Sequence, residues 1–508
     1  MYPFLHALIL CLLWTSCSDA LAGTLRVSVK NETGDVVPFR IHLKNDKGEV
    51  VKHSGLPFHH DHFVVPGELD QDLPGGMYTY EIEKGPEFEQ ISGAVTLPET
   101  GAKTVEVVIR RLANMNDRGW YSGDLHVHRP LDDIPLLVRA EELNVAPVIS
   151  WWNQKNVWRE REIPLTLTRP LEDSPVPQWI NVMAGEDERE GGALLYFGLD
   201  QPLGIAAETR EFPSSIMYLR KAVRQNPNVH IDIEKPFWWD VPAWVTTGEI
   251  DTIGLANNHM CRSGMYESEA WGFPRDTAEL PPPNGNGYWT QHLYYHLLNC
   301  GFRIPPSAGS ASGVLPNPVG YNRVYVNIEG EFTWEKWWDG LRAGRSFVTN
   351  GPLLELRAND QLPGSVFRAE EPQRITLSGT VISRDPLEAI EVIHDGKVLK
   401  TITPPTDSFD LPETEIILKE SGWFLVRARV QNERTFRFAS TAPFYAEIGD
   451  QPRYISRASV AFFQDWLEQR IARIRNRVSK EKQLQAILPE FEAARKFWEQ
   501  RHREATAD

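Results

Sequence analysis

Cysteine is scarce in this chain, with 4 residues among 508. Cys11 and Cys17 belong to an N-terminal segment that we expect to be removed on export, which leaves Cys261 and Cys300. One disulfide bond between these two is possible in an oxidising compartment, and a pair of buried free thiols is an equal alternative. The sequence therefore excludes a small fold held by a disulfide framework.

Long apolar runs are also missing. The apolar run at residues 5–13 is too short for a transmembrane helix, and Ala20-Leu21-Ala22 has the small-x-small form of a signal peptidase site. We expect residues 1–22 to be a signal peptide, although its positively charged leader region is missing apart from His6. The mature protein is then exported, to the periplasm or the cell exterior, without a transmembrane span.

Clusters of basic residues, internal repeats and low-complexity tracts are absent from the sequence. The net charge of −16 is spread in mixed-sign patterns, so no Lys/Arg groove could follow a nucleic-acid backbone. A hydrophobic fraction of 41% and a charged fraction of 24% are typical of a globular protein. A length of 508 residues predicts about three domains.

The first block, residues 23–112, has short alternating runs between polar turns, which predict a β-sandwich. Its four clustered histidines suggest a metal site: His53, His59, His60 and His62. Because the polar loop offers no carboxylate at a fixed position, we favour a solvated histidine-rich loop.

The second block, residues 116–352, alternates apolar strands with helical segments, which predicts parallel βα units that close into a barrel. Residues 353–450 return to strands and predict a second β-sandwich. Residues 455–508 are helical, with an apolar stripe formed by Val460, Phe463, Trp466 and Ile471. We expect that stripe to pack onto the body of the protein, with a dimer contact as the alternative.

The segment Gly123-Asp124-Leu125-His126-Val127-His128-Arg129 is the most informative in the second block. In a strand, alternate side chains share one face, so Asp124, His126 and His128 lie on the same side. Two imidazoles held in this way form a pair of metal ligands. In barrels of this kind the chemistry lies at the carboxyl ends of the strands, where further polar residues follow.

The same segment resembles the opening motif of the PHP metallohydrolases. Ala184-Gly185-Glu186-Asp187 resembles their acidic metal-binding motif, and Gly344-Arg345-Ser346-Phe347-Val348-Thr349-Asn350-Gly351-Pro352 resembles the closing signature of the CehA/McbA-type branch. The resemblance covers about residues 116–352. It implies a distorted (β/α)7 barrel, flanked by β-sandwich domains, that binds two or three divalent ions and hydrolyses esters, often phosphoesters.

This chain departs from the family pattern at several ligand positions. Trp151-Trp152-Asn153 replaces Asp-His-Asn, Lys235-Pro236 replaces His-Pro, and Gly309-Ser310-Ala311-Ser312-Gly313 replaces Gly-Ser-Asp-x-His. A further histidine that the family has after the acidic motif is missing near Gly191-Gly192. Most of a multinuclear cluster is therefore absent.

His126, His128 and Glu186 remain, and two histidines with one carboxylate can hold one divalent ion such as zinc, manganese or iron. The ion lowers the pKa of bound water toward about 7. We expect Asp124 to orient a ligating imidazole, because such histidines usually donate their other N–H to a carboxylate or carbonyl.

Three further residues are candidate catalytic groups. Lys235 replaces a cation-binding position and can neutralise developing negative charge, or it pairs with Asp232 or Glu234. His259 is a fourth ligand, a general acid or a plain loop histidine. Asp187, with Glu188 beside it, is a candidate base or part of a solvated acidic turn.

Aromatic and polar residues near the strand ends are candidate substrate contacts, although most tryptophans in proteins belong to cores. The set comprises Trp151, Trp152, Asn153, Trp238, Trp239, Asn257 and Ser310. Two functions follow: a hydrolase that uses one ion against an ester, phosphoester or amide, or a catalytically lapsed barrel that binds a carbohydrate through its tryptophans. Either takes a small-molecule or carbohydrate-like ligand.

Overall fold

The computed structural model describes residues 22–451 and 453–508. The expected signal peptide, with Cys11 and Cys17, lies outside these residues except for Ala22, where the first strand begins. The described chain is multidomain and rich in β-sheet, as the sequence predicts. Within it, no helix combines the length and the apolar character needed to cross a membrane. Cys261 and Cys300 are both buried and both free.

The N-terminal block is built of two facing sheets, ordered β5-β1-β8 and β3-β4-β2-β6-β7. Its strands are β1 Ala22–Lys30, β2 Phe39–Asn45, β3 Phe58–His59, β4 His62–Val65, β5 Glu68–Pro74, β6 Gly76–Glu83, β7 Ile91–Leu97 and β8 Ala102–Val108. Alternate residues of β1, Leu25, Val27 and Val29, are buried in a core shared with Ile41 and Phe63. The period-two pattern therefore forms the core of this block, as expected for half-buried strands.

The histidine-rich segment is a hairpin of β3 and β4 rather than a solvated loop. His60 is exposed at its turn, but His62 is only 2% exposed and lies against β2. The expectation of solvated histidines is therefore wrong for His62, because the hairpin pairs with β2 and turns that side chain inward. Asp61, between the two histidines, supplies the carboxylate that the sequence pattern seemed to lack.

The central block alternates strands and helices. Its elements are β9 Trp120–Gly123, α1 Ile134–Ala140, β10 Val145–Trp152, β11 Lys155–Asn156, β12 Thr168–Pro170, β13 Trp179–Arg189, β14 Gly192–Phe197, α2 Ser215–Gln225, β15 His230–Ile233, α3 Val241–Trp244, β16 Thr252–Ala256, β17 Met260–Cys261, β18 Gly264–Met265, α4 Gly285–Asn299, β19 Pro306–Ala308, β20 Arg323–Asn327, α5 Trp334–Arg342 and β21 Ser346–Thr349.

Strands of this block belong to a closed barrel. Neighbouring strands pair in the order β9-β10-β13-β14-β15-β16-β19. The segment that follows β9 closes the ring, because the Leu125 N–H donates to Ala308 O at 3.0 Å and Val127 bridges both Val148 and Ser312. This closure places residues 124–128 among the carboxyl ends of the strands.

The ring differs from the expected run of parallel βα units at β14. This strand pairs antiparallel with both β13 and β15. Only Glu190 and Gly191 separate β13 from β14, and a connection that short can join only antiparallel strands. The sequence pattern missed this hairpin because nearly every residue of both strands is buried, so neither strand alternates between buried and exposed positions.

The C-terminal block contains strands β22 Leu353–Ala358, β23 Val366–Ala369, β24 Gln373–Ile382, β25 Leu387–His394, β26 Lys397–Ile402, β27 Ser408–Leu418, β28 Gly422–Val430, β29 Phe438–Thr441 and β30 Phe444–Ile448. The sheet β22-β24-β27 faces the remaining strands across a common core that contains Ile375, Val392 and Phe424. Antiparallel pairing of β21 with β29 continues the hydrogen-bonded sheet across the boundary at residue 352.

Two C-terminal helices, α6 Arg457–Arg477 and α7 Glu481–Arg503, pack on the central block. The stripe of Val460, Phe463, Trp466 and Ile471 is buried there, as one of the two alternatives predicts. The Arg470 guanidinium donates to Asp240 and Glu211 at 2.6–2.8 Å. The helices therefore belong to the body of the protein.

Candidate metal centre

Two histidine side chains meet directly beyond the end of β9. The Nε2 atoms of His126 and His128 lie 2.9 Å apart, in the segment that closes the barrel. His126 is buried, whereas His128 is partly accessible and lies at the outer end of the pair. Gly309 permits the close approach of the opposite loop, because a Cβ atom there would lie 2.5 Å from His126 Cβ.

Glu186 of β13 completes a triangle with the two histidines. Its Oε2 atom lies 3.5 Å from His126 Nε2 and 3.1 Å from His128 Nε2. Atoms with these separations can all lie about 2.0–2.1 Å from one ion. Glu186 Oε2 is buried and has no hydrogen-bond partner in the described part of the chain, so a cation would satisfy it. The donor set and its geometry therefore fit one divalent ion.

Charges around this triangle favour a cation. Burial opposes protonation of His126, but the carboxylates of Glu186 and Glu234 outweigh burial and raise its pKa to about 10. Burial lowers the pKa of His128 despite Glu186. For Glu186, burial is outweighed by the two histidines, which hold its pKa at about 2. The site thus combines an ionised carboxylate with imidazoles in a negative potential.

Asp124 holds the backbone around the centre rather than an imidazole. Its carboxylate accepts N–H donation from His126 at 3.0 Å, Ser310 at 3.0 Å and Gly320 at 2.7 Å. Burial raises the pKa of Asp124, although the three amide donors oppose this shift. The expected contact with a ligating ring is therefore corrected: Asp124 positions His126 through its backbone, because its side chain turns toward the 309–320 loop.

Glu234 occupies the role that the sequence pattern assigns to Asp124. Its Oε1 atom lies 3.4 Å from His126 Nδ1, the ring nitrogen that does not face Glu186. Asn258 Nδ2 and Trp238 Nε1 donate to the same carboxylate at 2.6 and 2.9 Å. The signal for Glu234 was its alternation with His230 and Asp232, which places all three on the same face.

Lys235 pairs with Glu234. Its Nζ atom lies 2.6 and 2.5 Å from the two Glu234 oxygens and 4.7 Å from the Trp238 ring centroid. Of the two partners considered from sequence, Glu234 is therefore the one contacted, and Asp232 instead accepts from Thr252 at 2.6 Å and from Ser307. The Glu234 carboxylate therefore contacts both the Lys235 ammonium group and the His126 ring.

The accessible side of the centre contains Glu188, Trp152 and Asn153. The Trp152 ring lies 5.1 Å from the His128 ring, and its Nε1 donates to Glu188 Oε2 at 3.0 Å. Asn153 exchanges two hydrogen bonds with the Glu188 backbone. Burial, and then the Glu186 charge, raise the pKa of Glu188 to about 7. Exposed Lys155 lies over Trp152 at 4.6 Å.

Asp187 lies on the other face of β13, because neighbouring strand residues alternate. Its carboxylate receives Arg189 Nε at 2.5 Å and Nη2 at 2.7 Å, and it is fully buried. Burial raises its pKa although Arg189 opposes the shift. Its prediction as a catalytic base is therefore wrong, and Glu188, two residues beyond Glu186, is the acid on the same face.

Among the other candidates, His259 is buried between Phe237 and Tyr266, with ring separations of 5.4 and 5.3 Å. Burial and then Lys235 lower its pKa to about 3, and its Nδ1 has no hydrogen-bond partner in the described chain. Within the described residues, the ligand group of His126, His128 and Glu186 does not include His259, so its prediction as a fourth ligand is not supported by this geometry.

Several candidate substrate contacts are structural instead. Trp151 packs on Gly185, where a Cβ atom would lie 1.7 Å from its ring, and on Tyr196. Trp239 donates to Trp271 O and stacks with Arg473. Both rings are buried in the core, so their predicted contact with substrate is corrected.

Two polar candidates also hold the backbone. Asn257 Oδ1 accepts from the His259 N–H at 3.1 Å, and Ser310 Oγ accepts from the Asn322 N–H at 3.0 Å. Both side chains are buried. Their predicted contact with substrate is corrected, because their polar atoms are occupied by the loops that they join.

No protein-family model and no curated protein matches this chain. Among solved structures, it is similar to the fibronectin(III)-like modules of Clostridium thermocellum CbhA. The identity is 13%, the alignment covers 18% of this chain and 94% of the module, and the TM-score is 0.13.

Proposed function

We propose that this protein is an exported, metal-dependent hydrolase that acts on an ester, phosphoester or amide through a mononuclear site. We also propose that its central barrel is of the PHP type, in the CehA/McbA-like branch, with a β-sandwich on each side. The observation that supports the hydrolase is the triangle of His126, His128 and Glu186, with separations of 2.9–3.5 Å and a buried carboxylate oxygen that makes no hydrogen bond with any described residue.

A divalent ion held by these three residues would lower the pKa of water and polarise a carbonyl or phosphoryl oxygen. Glu234 orients the His126 ring through Nδ1, as carboxylates commonly do for ligating histidines. Glu188 lies on the accessible side, held by Trp152 and Asn153, and accepts the proton of the attacking water in this proposal. The buried walls around His126 limit the entry of bulk water.

A single ion is favoured over two or three. Lys235 places a positive charge against both oxygens of Glu234, so a second cation at that carboxylate would meet an ammonium group. Trp152, in place of a family ligand, has no metal-binding atom and contacts His128 through its ring. Both features support the reduced site that the sequence departures predict.

The carbohydrate-binding alternative is weaker because its tryptophans are not on a common surface. Trp151, Trp238 and Trp239 are each 5% exposed or less, which leaves Trp152 as the tryptophan of that set with an accessible ring. One ring beside Lys155 can contact a small planar or sugar-like substituent of a substrate. We therefore assign Trp152 to substrate positioning.

The test is metal analysis of the untagged, full-length mature protein with hydrolysis assays on nitrophenyl esters, phosphoesters and anilides. We expect zinc, manganese or iron at the centre and activity that chelation removes and metal restores. Glu186→Gln should abolish both. His394→Ala, which changes a histidine beside Asp395 in the C-terminal block, is the matched control. A wild-type protein with no metal bound by His126, His128 and Glu186 would contradict the proposal.

A further inference from the structure

A second group of metal-ligand side chains lies in the N-terminal block, formed by His42, Asp61 and His62. His62 Nδ1 lies 3.0 Å from Asp61 Oδ1, and His42 Nδ1 lies 3.2 Å from Asp61 Oδ2. One potential ligand atom of each residue lies within 4.8 Å of the others. Separations of 3.0–3.2 Å are those of atoms that share an ion at about 2.0–2.2 Å.

Strand register brings the two histidines together. In the antiparallel pair of β2 and β4, Ile41 lies opposite Phe63, so the next position places His42 opposite His62. Directly opposed residues of antiparallel strands point to the same face of the sheet. Asp61 follows in the turn of the β3–β4 hairpin, beside both rings. The ligand set is therefore built by paired strands.

Burial of both rings and one ring nitrogen without a well-formed hydrogen bond point to a ligand at this group. His42 is 4% exposed and His62 is 2% exposed. His42 Nδ1 is buried and faces Asp61 Oδ2 at 3.2 Å, but it does not have the geometry of a hydrogen bond with any described residue. Arg40 Nε donates to the other ring nitrogen, His42 Nε2, at 3.2 Å and keeps the Nδ1 edge turned toward Asp61. An ion between the imidazole and the carboxylate would satisfy this buried nitrogen.

We propose that His42, Asp61 and His62 bind one divalent transition-metal ion, separate from the His126, His128 and Glu186 centre. Two imidazoles and one carboxylate suit zinc-like ions better than magnesium or calcium, which prefer oxygen ligands. His60 is available as a fourth ligand, since its Nδ1 lies 3.7 Å from Asp61 Oδ1 and its side chain is half exposed. This side opens on a groove of about 1000 Å³ that His42, His60 and Asp61 line.

Ligation through His42 Nδ1 requires the ring proton on Nε2. Glu83 Oε1 is the nearest carboxylate oxygen to that nitrogen, at 4.0 Å, and it already accepts from Arg262 Nε at 2.8 Å. Arg40 retains its ion pairs with Glu83, at 2.8 Å, and with Glu141. Binding therefore changes the tautomer of one buried ring and replaces the Arg40 Nε hydrogen bond to His42 Nε2, while both ion pairs of Arg40 remain.

An ion here would fasten the β3–β4 hairpin to β2 next to the candidate active centre. Arg129, the residue after His128, donates to Phe58 O at 3.2 Å, and His59 Nε2 lies 2.8 Å from Leu315 O. The hairpin therefore contacts the loops that carry or face His128. We therefore expect this ion to have a structural role, and metal binding should raise the melting temperature of the protein.

The experiment counts cobalt(II) ions bound to the chelator-treated, untagged full-length mature protein, with visible absorption as the readout. We expect two ions on the wild type and on His394→Ala. One ion should remain on Asp61→Asn and one on Glu186→Gln, while the double variant should bind none. Asp61→Asn is nearly isosteric at a partly exposed position, and we expect it to weaken its site at least about 100-fold.

Zinc should also raise the melting temperature of Glu186→Gln and leave that of the double variant unchanged. The inference is overturned if Asp61→Asn binds as many ions as the wild type, or if zinc does not shift the Glu186→Gln melting curve. Loss of one ion in Asp61→Asn with no effect of Glu186→Gln would support the inference and contradict the proposed hydrolase centre. The two proposals therefore fail separately.

Discussion

Glu234 Oε1 lies 3.4 Å from Nδ1 of His126, opposite the ring edge that faces Glu186. The same carboxylate is held by Lys235, Asn258 and Trp238. The His126 ring is thus held at Nδ1 by a carboxylate that is itself held by three hydrogen-bond donors. Such an arrangement orients metal-ligating imidazoles and raises their basicity.

Replacing Glu234 should weaken metal binding through His126. We expect Glu234→Gln to lower affinity at the centre by about 10- to 100-fold, measured by cobalt titration of the Asp61→Asn background. The change also leaves Lys235 buried without a counter-charge, which costs about 3–5 kcal/mol of unfolding free energy.

The double variant Glu234→Gln with Lys235→Met separates these two effects. It should recover stability in urea unfolding, because the unpaired ammonium is gone, while metal affinity stays low. Recovery of both quantities together would show that Glu234 acts only by balancing Lys235.

Glu188 should be the base on the accessible side. Its removal in Glu188→Gln is expected to lower kcat by about 100- to 10,000-fold, with metal content unchanged because Glu188 is outside the ligand triangle. Steady-state kinetics and elemental analysis of the same preparation check this. The control is Glu160→Gln, an exposed carboxylate that contacts none of these groups; equal losses in both variants would argue against the assignment.

Asp124 should matter for stability and for metal affinity. In Asp124→Asn, the amide oxygen can still accept from His126 and Ser310, but the NH2 group faces the Gly320 N–H, a second donor. We expect a loss of about 1–3 kcal/mol in urea unfolding and weaker cobalt binding, since repulsion at Gly320 shifts the side chain that positions the His126 backbone. Normal affinity in a destabilised protein would leave Asp124 with a purely structural role.

Glu391 should provide a pH-dependent part of the stability of the C-terminal block. Burial opposes its ionisation, but Arg427 and Arg429 outweigh burial and lower its pKa. A lowered folded-state pKa stabilises the protein above the unfolded-state value of about 4.3, and this stabilisation is lost as the pH falls through the folded-state pKa. Urea unfolding at pH 7 should show a loss of about 1.5–3 kcal/mol in Glu391→Gln.

The difference in unfolding free energy between the wild type and Glu391→Gln should then become smaller below about pH 4. Glu388→Gln is the control, because Glu388 also pairs with Arg429, at 2.7 Å, but is 45% exposed. An exposed ion pair contributes about 0–1 kcal/mol. The prediction would be contradicted if this free-energy difference were constant with pH, or if Glu391→Gln and Glu388→Gln lost equal unfolding free energy.

Local pattern predicted the strands well but not their pairing. Alternation predicted the buried face of β1 and the helical stripe of α6, since both depend on residues a few positions apart. It did not predict the β13–β14 hairpin, whose strands are buried on both faces and therefore have no alternation to read. It also missed the sheet that continues from β21 to β29, about 90 residues later.

Side-chain positions likewise depend either on neighbouring residues, which the sequence pattern shows, or on distant segments, which it does not. The choice between Asp187 and Glu188 was open to strand alternation, because only Glu188 shares the face of Glu186. In contrast, Asp124 accepts from the Ser310 and Gly320 backbones, which follow it by 186 and 196 residues. No local pattern encodes such contacts.

By itself, the sequence determined that His126 and His128 share one face and that strand-rich blocks flank a mixed central block, because alternation is a property of neighbouring residues. The family resemblance had already added Glu186 to these histidines, and only the tertiary structure decided that Glu234 and not Asp124 holds the His126 ring, and that His42 faces His62. The physical reason is that strand register and loop packing depend on the burial and hydrogen bonding of segments far apart in the chain.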